Sequence, residues 1–212
     1  MIDRQYVDRL TRASPVQFYV SGIDGARCWF PWRLVKAGGH DGIGSRKRHA
    51  GKCDCLMVDS NFKDDLVTNE VVLDEAAILG ADSAVLADVY HDMEATVDAL
   101  IDGLQLAADH QYDGTVVLPL QAPHIECYDR VAPHAPDGVW WAIGGLKDVL
   151  PAKKIQVARR FRDHVGPDAH IHGLGFGVTD EMARYIRKDP AVLDSIDSAT
   201  AVSNAVGELP GK

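Results

Sequence analysis

The stretch SAVLADVYHDMEATVDALIDGLQLAADHQYDGTVVL, residues 83–118, decides the fold. It opens on Ser83-Ala84-Val85-Leu86-Ala87 and closes on Thr115-Val116-Val117-Leu118. Each is short and apolar on both faces, which is how the buried strands of a parallel sheet read. Between them Met93, Val97, Leu100, Ile101 and Leu104 recur at helical spacing over residues 92–110. A buried strand, an amphipathic helix and a second buried strand make a βαβ unit.

The same alternation extends in both directions. Strand-like runs occupy residues 16–20, 55–58, 138–143, 171–175 and 192–196. Helical patterns occupy 68–80, from a Thr68 cap to Gly80, and 151–165, from Pro151 to just before Gly166-Pro167. A further helix over 179–188 begins at Thr179, with Glu181 in its first turn. Seven strand candidates with helices between most of them predict a (β/α)8 TIM-type barrel. A doubly wound open sheet is the runner-up, weakened by the lack of a Gly-x-Gly-x-x-Gly after the first strand. The only eighth-strand candidate, residues 201–206, is poor, so the reading is a barrel incomplete at its C-terminus, or one completed by a homodimer or partner subunit. The whole chain, 1–212, reads as one domain with a long basic loop at 22–54.

Composition narrows the class. The 212 residues are 46% hydrophobic and 25% charged, ordinary for a globular domain. The apolar runs fall short of the ~20 residues of a membrane span. The opening residues Met1-Ile2-Asp3-Arg4-Gln5 have no apolar h-region, so the expected setting is the cytoplasm, or the host's cytoplasm if a virus encodes the chain. Net charge is −9, and only six of the 31 acids are Glu. Compositional drift explains this Asp bias as well as a halophilic source does. Cys28, Cys53, Cys55 and Cys127 are too sparse for a disulfide scaffold.

In a barrel the strand C-termini hold the active site. Asp59-Ser60, Asp88, Gln121, Gly144-Gly145-Leu146, Gly173 to Gly177, Asp194 and Asp197 all follow or end strand candidates. Carboxylates from three strands would converge in one cavity and divide the labour of attack and proton transfer. Such acids suit displacement at an anomeric carbon. Each taken alone is also an ordinary helix cap or turn residue. His91 and His172 read as pocket-lining or as structural histidines.

The ordered series Val58-Asp59-Ser60, Asp88, Leu120-Gln121, Ala142-Ile143-Gly144-Gly145-Leu146, His172-Gly173-Leu174-Gly175 and Leu193-Asp194-Ser195-Ile196-Asp197-Ser198 resembles the queuine tRNA-ribosyltransferase (tRNA-guanine transglycosylase) superfamily. The resemblance covers residues 56–198, about two thirds of the chain. It implies base exchange: a carboxylate attacks C1′ of a guanosine, guanine leaves and a 7-deazaguanine replaces it. Position by position, it implies Asp197 as nucleophile, Asp59 as general acid/base and Asp194 as a supporting acid. Ser60, Asp88, Gln121, Gly144, Gly145, Leu146, Gly173 and Gly175 would bind the base.

The family's tRNA enzymes hold a structural zinc near the C-terminus, through a Cys-x-Cys-x-x-Cys and a distant His. The residues after Asp197 include neither Cys nor His, and Cys53-Asp54-Cys55 lies at the wrong end, so neither metal nor cofactor is expected. The Arg-rich stretch that follows the family's nucleophile is replaced by Ala199-Thr200-Ala201-Val202. The chain is most similar to the short, zinc-free DNA-guanine transglycosylase branch. The expected partners are therefore DNA, with tRNA the lesser candidate, and a free 7-deazaguanine such as 7-cyano-7-deazaguanine. A target guanine must be flipped out of a duplex or met single-stranded. Arg46, Lys47, Arg48 and Lys52 are the phosphate-contact candidates, with Arg33 and Lys36 behind them. Trp29, Phe30 and Trp32 are candidates for base stacking or for packing. Arg159, Arg160 and Arg162 read as surface charges.

Overall fold

Each apolar run pairs with its neighbour in sequence. The computed structural model describes residues 4–21, 29–38, 42–61, 66–177 and 179–198. Among these, eight parallel strands form a closed barrel: β1 (Gln17–Val20), β2 (Trp32–Lys36), β3 (Cys55–Asp59), β4 (Ser83–Val85), β5 (Thr115–Leu120), β6 (Trp140–Ile143), β7 (Ile171–Gly173) and β8 (Ser195–Ser198). Closure is made where β8 meets β1, from Gln17 opposite Ser195 to Val20 opposite Ser198. The helices are α1 (Arg4–Arg12), α2 (Gly42–Ala50), α3 (Asn69–Leu79), α4 (Met93–Asp109), α5 (His124–Val131), α6 (Pro151–Val165) and α7 (Asp180–Lys188). The fold is the (β/α)8 TIM-type barrel the alternation predicts.

Strand alternation divides the apolar residues into two cores. Tyr19, Trp32, Leu34, Met57, Val85, Val117 and Ala142 fill the barrel interior. The larger core lies between sheet and helices, where Leu56, Val58, Leu86, Leu118 and Ile143 meet Val72, Leu73, Leu100, Ile155 and Phe161. Full burial of each large side chain stabilises the fold by about 1.5–3 kcal/mol. The helix ends follow their sequence signals. Thr68 accepts from Val71 N, Asp92 from Ala95 N and Thr179 from Met182 N, while Gly80 closes α3 at φ +61°.

The barrel is complete, and the strand missing from the predicted set is β2, inside the expected loop. Residues 22–54 are not one basic loop. They contain β2 and α2. Trp-Arg-Leu-Val-Lys reads as polar because of its two cations, yet Arg33 is fully buried and donates from Nε to Lys52 O at 3.2 Å. The last strand begins at Ser195 rather than Val192, because Val192 and Leu193 are spent in the outer core before pairing starts. Residues 201–206 lie outside the described residues. No helix among the described residues is long and apolar enough to cross a membrane.

Candidate active site at the C-terminal mouth

Inward-facing positions at the strand ends build the site. Lys36 and Asp59 are register partners at the ends of β2 and β3, and Lys36 Nζ lies 3.8 Å from Asp59 Oδ2. Asp59 follows the inward parity of Met57, and its side chain is 14% exposed. Burial pushes its carboxyl up to about 7. Lys36 opposes that rise, and the nearby charges of Asp197 and Asp88 add to it. Asp197 and Asp88, two of the carboxylates expected to converge, are thus both within electrostatic reach of the third, Asp59.

Asp88 follows β4, and burial raises its carboxyl too, against a hydrogen bond from Gln121. Gln121 Nε2 donates to Asp88 Oδ2, and Gln121 Oε1 accepts from His91 N at 3.2 Å. Gln121 is buried, so both ends of its amide are fixed. His91 itself is exposed and adopts φ +62°, a conformation uncommon for a residue with a side chain. Its contribution is a backbone N–H.

Asp197 is nearly buried in β8. Its Oδ1 accepts from Gly175 N at 2.5 Å, and its Oδ2 accepts from Ser21 Oγ at 3.2 Å. Oδ1 is therefore held tightly and Oδ2 loosely. The glycine segments are required by close approach. Gly145 sits at φ +69°, and a Cβ there would strike Gln121 Oε1. A Cβ on Gly173 would come within 2.7 Å of the Phe176 ring. Gly144 is fixed through its carbonyl, which is 2.9 Å from His124 Nε2.

Lys154, which sequence reasoning missed, holds the β7–α7 loop. Its buried Nζ donates to Lys147 O at 3.2 Å, Gly175 O at 3.1 Å and Phe176 O at 3.2 Å. Burial lowers its pKa, while Asp148 and Asp197 oppose that fall. The signal was present: at helical spacing Lys154 falls on the apolar face of α6 beside Ile155 and Ala158.

Several expected roles are corrected. Asp194 is not at the mouth. It precedes β8 at the opposite end, where Oδ2 accepts from Arg162 Nη2 at 2.6 Å and Ile171 N at 2.7 Å. Arg162 is thereby structural rather than a surface charge, donating also to the carbonyls of Gly166, Pro167 and Ala169. Leu146 is buried in the outer core instead of facing a ligand. Ser60 is buried immediately beyond β3.

The phosphate-contact group is dispersed. Arg46 is buried, with Nη2 2.6 Å from Glu75 Oε1. Lys47 and Arg48 are exposed on the outer helix α2. Lys52 lies in the link entering β3, at the barrel end away from the carboxylates. The aromatics pack: Arg4 lies over Trp29, Arg12 over Trp32, and Phe30 meets Phe18 edge-on. Trp140 faces inward, stacked on His170 at 3.7 Å, and Trp141 faces outward against Tyr128. Burial raises the Cys53 thiol to about 11, consistent with a packed side chain. Among the described residues no group of three or more His, Cys, Asp or Glu is arranged to hold a metal ion.

Fold and mouth together define a TIM-type barrel whose C-terminal end gathers three acids, an amide and the ammonium groups of Lys36 and Lys154. The solved YdjI aldolase of Escherichia coli K12 is similar in fold, with TM-score 0.56 and 14% identity over 96% of this chain and 83% of that one. No family model matches the chain. No curated protein matches it either.

Proposed function

We propose that this barrel is an enzyme, a guanine transglycosylase that exchanges guanine in DNA for a 7-deazaguanine. The observation that carries the reading is the convergence of Asp59, Asp88 and Asp197, with Asp59 held near neutrality between proton donor and acceptor. Asp197 Oδ2, the loosely held oxygen, forms a bond to C1′ as the C1′–N9 bond breaks. The electron pair leaves with guanine, which takes the proton of Asp59. The incoming base then gives its N9 proton to Asp59 and attacks C1′, releasing the Asp197 carboxylate. Asp88 and Gln121 form a fixed acceptor and donor edge for the base. The ordered motif resemblance supplies the substrate class.

The dispersal of the basic candidates favours a second reading, exchange in tRNA with a partner subunit that holds the polynucleotide. Incubation with DNA or tRNA plus candidate bases, followed by mass spectrometry of the released nucleosides, tests both. A 7-deazaguanine nucleoside in the DNA arm is the expected result. Incorporation in the tRNA arm alone favours the second reading. Binding without incorporation in either arm, with or without added cell extract, overturns both in favour of a non-catalytic nucleic-acid-binding homologue.

A further inference from the structure

Beneath Asp197 the barrel interior contains a polar chain that the proposed reaction does not use. His172 is completely buried, and its ring meets Tyr19 edge-on at 5.8 Å. Its Nδ1 lies 2.8 Å from Ser195 Oγ, and that oxygen lies 3.0 Å from His170 Nε2. Its Nε2 has no hydrogen-bond partner among the described residues and stands 3.6 Å from Asp197 Oδ1. A buried polar atom left unpaired costs free energy, so its survival calls for an explanation.

Proton counting favours one direction for the chain when His172 is neutral. The Ser195 hydroxyl has one proton, so it can donate to only one of the two imidazoles. If His172 donated from Nδ1 and were neutral, its Nε2 lone pair would face the Asp197 carboxylate. The opposite order runs His170 Nε2–H to Ser195 Oγ, then Ser195 O–H to His172 Nδ1, and leaves a proton on His172 Nε2 facing Asp197. Only this order is attractive throughout for a neutral ring. At 3.6 Å the last contact is too long for a hydrogen bond, and such contacts tighten when substrate binds.

We propose that His172 is a positioning residue for Asp197, presenting an Nε2–H that stabilises the carboxylate as it is released from C1′. This rests on the transglycosylase reading. Charge leaves Asp197 when it attacks and returns when the incoming base displaces it. A donor aimed at Oδ1 therefore helps the second half of the exchange more than the first.

The test compares wild type with His172→Leu and His172→Gln in exchange of labelled guanine in DNA, or in tRNA should that prove the substrate. His172→Leu is expected to lower kcat about tenfold, to leave KM for the free base within about twofold, and to raise the fraction of protein covalently bound to nucleic acid. His172→Gln, which keeps an N–H donor, should recover part of the rate. Unchanged kcat, a covalent fraction that falls in step with kcat, or a glutamine variant no better than leucine would each overturn the role. Ser195→Ala, which breaks the chain while retaining the imidazole, is expected to act in the same direction if the leucine variant does not fold. Imidazole nitrogen NMR of the wild type gives a readout apart from turnover. A proton on Nε2 is expected, and a proton on Nδ1 alone overturns the inference. Absence of exchange by the wild type on both nucleic acids overturns the functional reading itself, whatever the tautomer.

Discussion

Asp194 and Asp197, three residues apart in sequence, serve opposite ends of the barrel. Asp194 receives Arg162 and Ile171 N at one end, while Asp197 receives Gly175 N at the other. Strand geometry accounts for this: three residues advance about 10 Å, and an odd step reverses the side-chain face. Asp197→Ala is expected to keep the fold and abolish exchange. Asp194→Ala is expected to cost about 1–3 kcal/mol by leaving buried donors unpaired, with kcat largely kept. Urea unfolding beside an exchange assay separates the two.

Asp59 gives the stability curve a definite slope. Its carboxyl is held up to about 7, against about 3.9 when unfolded. Such a group contributes stability that is complete below the unfolded value and is lost as pH rises from about 4 through about 7. Asp59→Asn, which does not ionise, should therefore gain on wild type across that window, by up to about 4 kcal/mol above it. Denaturation midpoints measured from pH 4 to 8 check the sign; a gain confined to the acid side would contradict it.

Lys36 is the cation that opposes the rise at Asp59 and at Asp88. Lys36→Met is expected to move the inflection of the pH–rate profile to higher pH. Lys36→Arg should leave it near the wild-type position. An inflection unmoved by the methionine variant would separate Lys36 from the chemistry.

Lys154 is expected to matter for both stability and rate. Lys154→Met removes one ammonium and leaves three carbonyls of the β6–α6 and β7–α7 loops without their donor. The expected loss is about 2–4 kcal/mol, with kcat falling because Gly175 N no longer meets Asp197 squarely. Thermal melting and steady-state kinetics measure the two parts.

Arg46 and Arg48, neighbours on α2, should respond differently. Arg46→Met breaks a buried pair with Glu75 and is expected to cost about 3–5 kcal/mol. Arg48→Ala, on the exposed face, should change stability by less than about 0.5 kcal/mol. Chemical denaturation of both variants is the measurement.

The sheet was legible wherever burial on both faces wrote an unbroken apolar run, as in Thr115–Leu120. It was illegible at Trp32–Lys36, where a fully buried arginine satisfied by a backbone carbonyl wrote a cation into a strand. At the site, Asp59, Asp88, Gln121 and Asp197 were legible because strand ends reach one mouth whatever the loops do. Asp194 was misplaced because a three-residue offset along a strand changes both the end and the face an acid serves. Lys154 and the His170–Ser195–His172 chain escaped because their partners lie far away in sequence.

The acids gathered at one end of the barrel also set how a polyanion arrives. On a chain of net charge −9, the opening repels phosphate at low ionic strength over about 10 Å or more, and added salt shortens that reach. Encounter with a nucleic acid should accordingly quicken as salt is raised from a dilute buffer, the reverse of the behaviour of a basic groove. A brine-filled cell would be a favourable medium for this molecule.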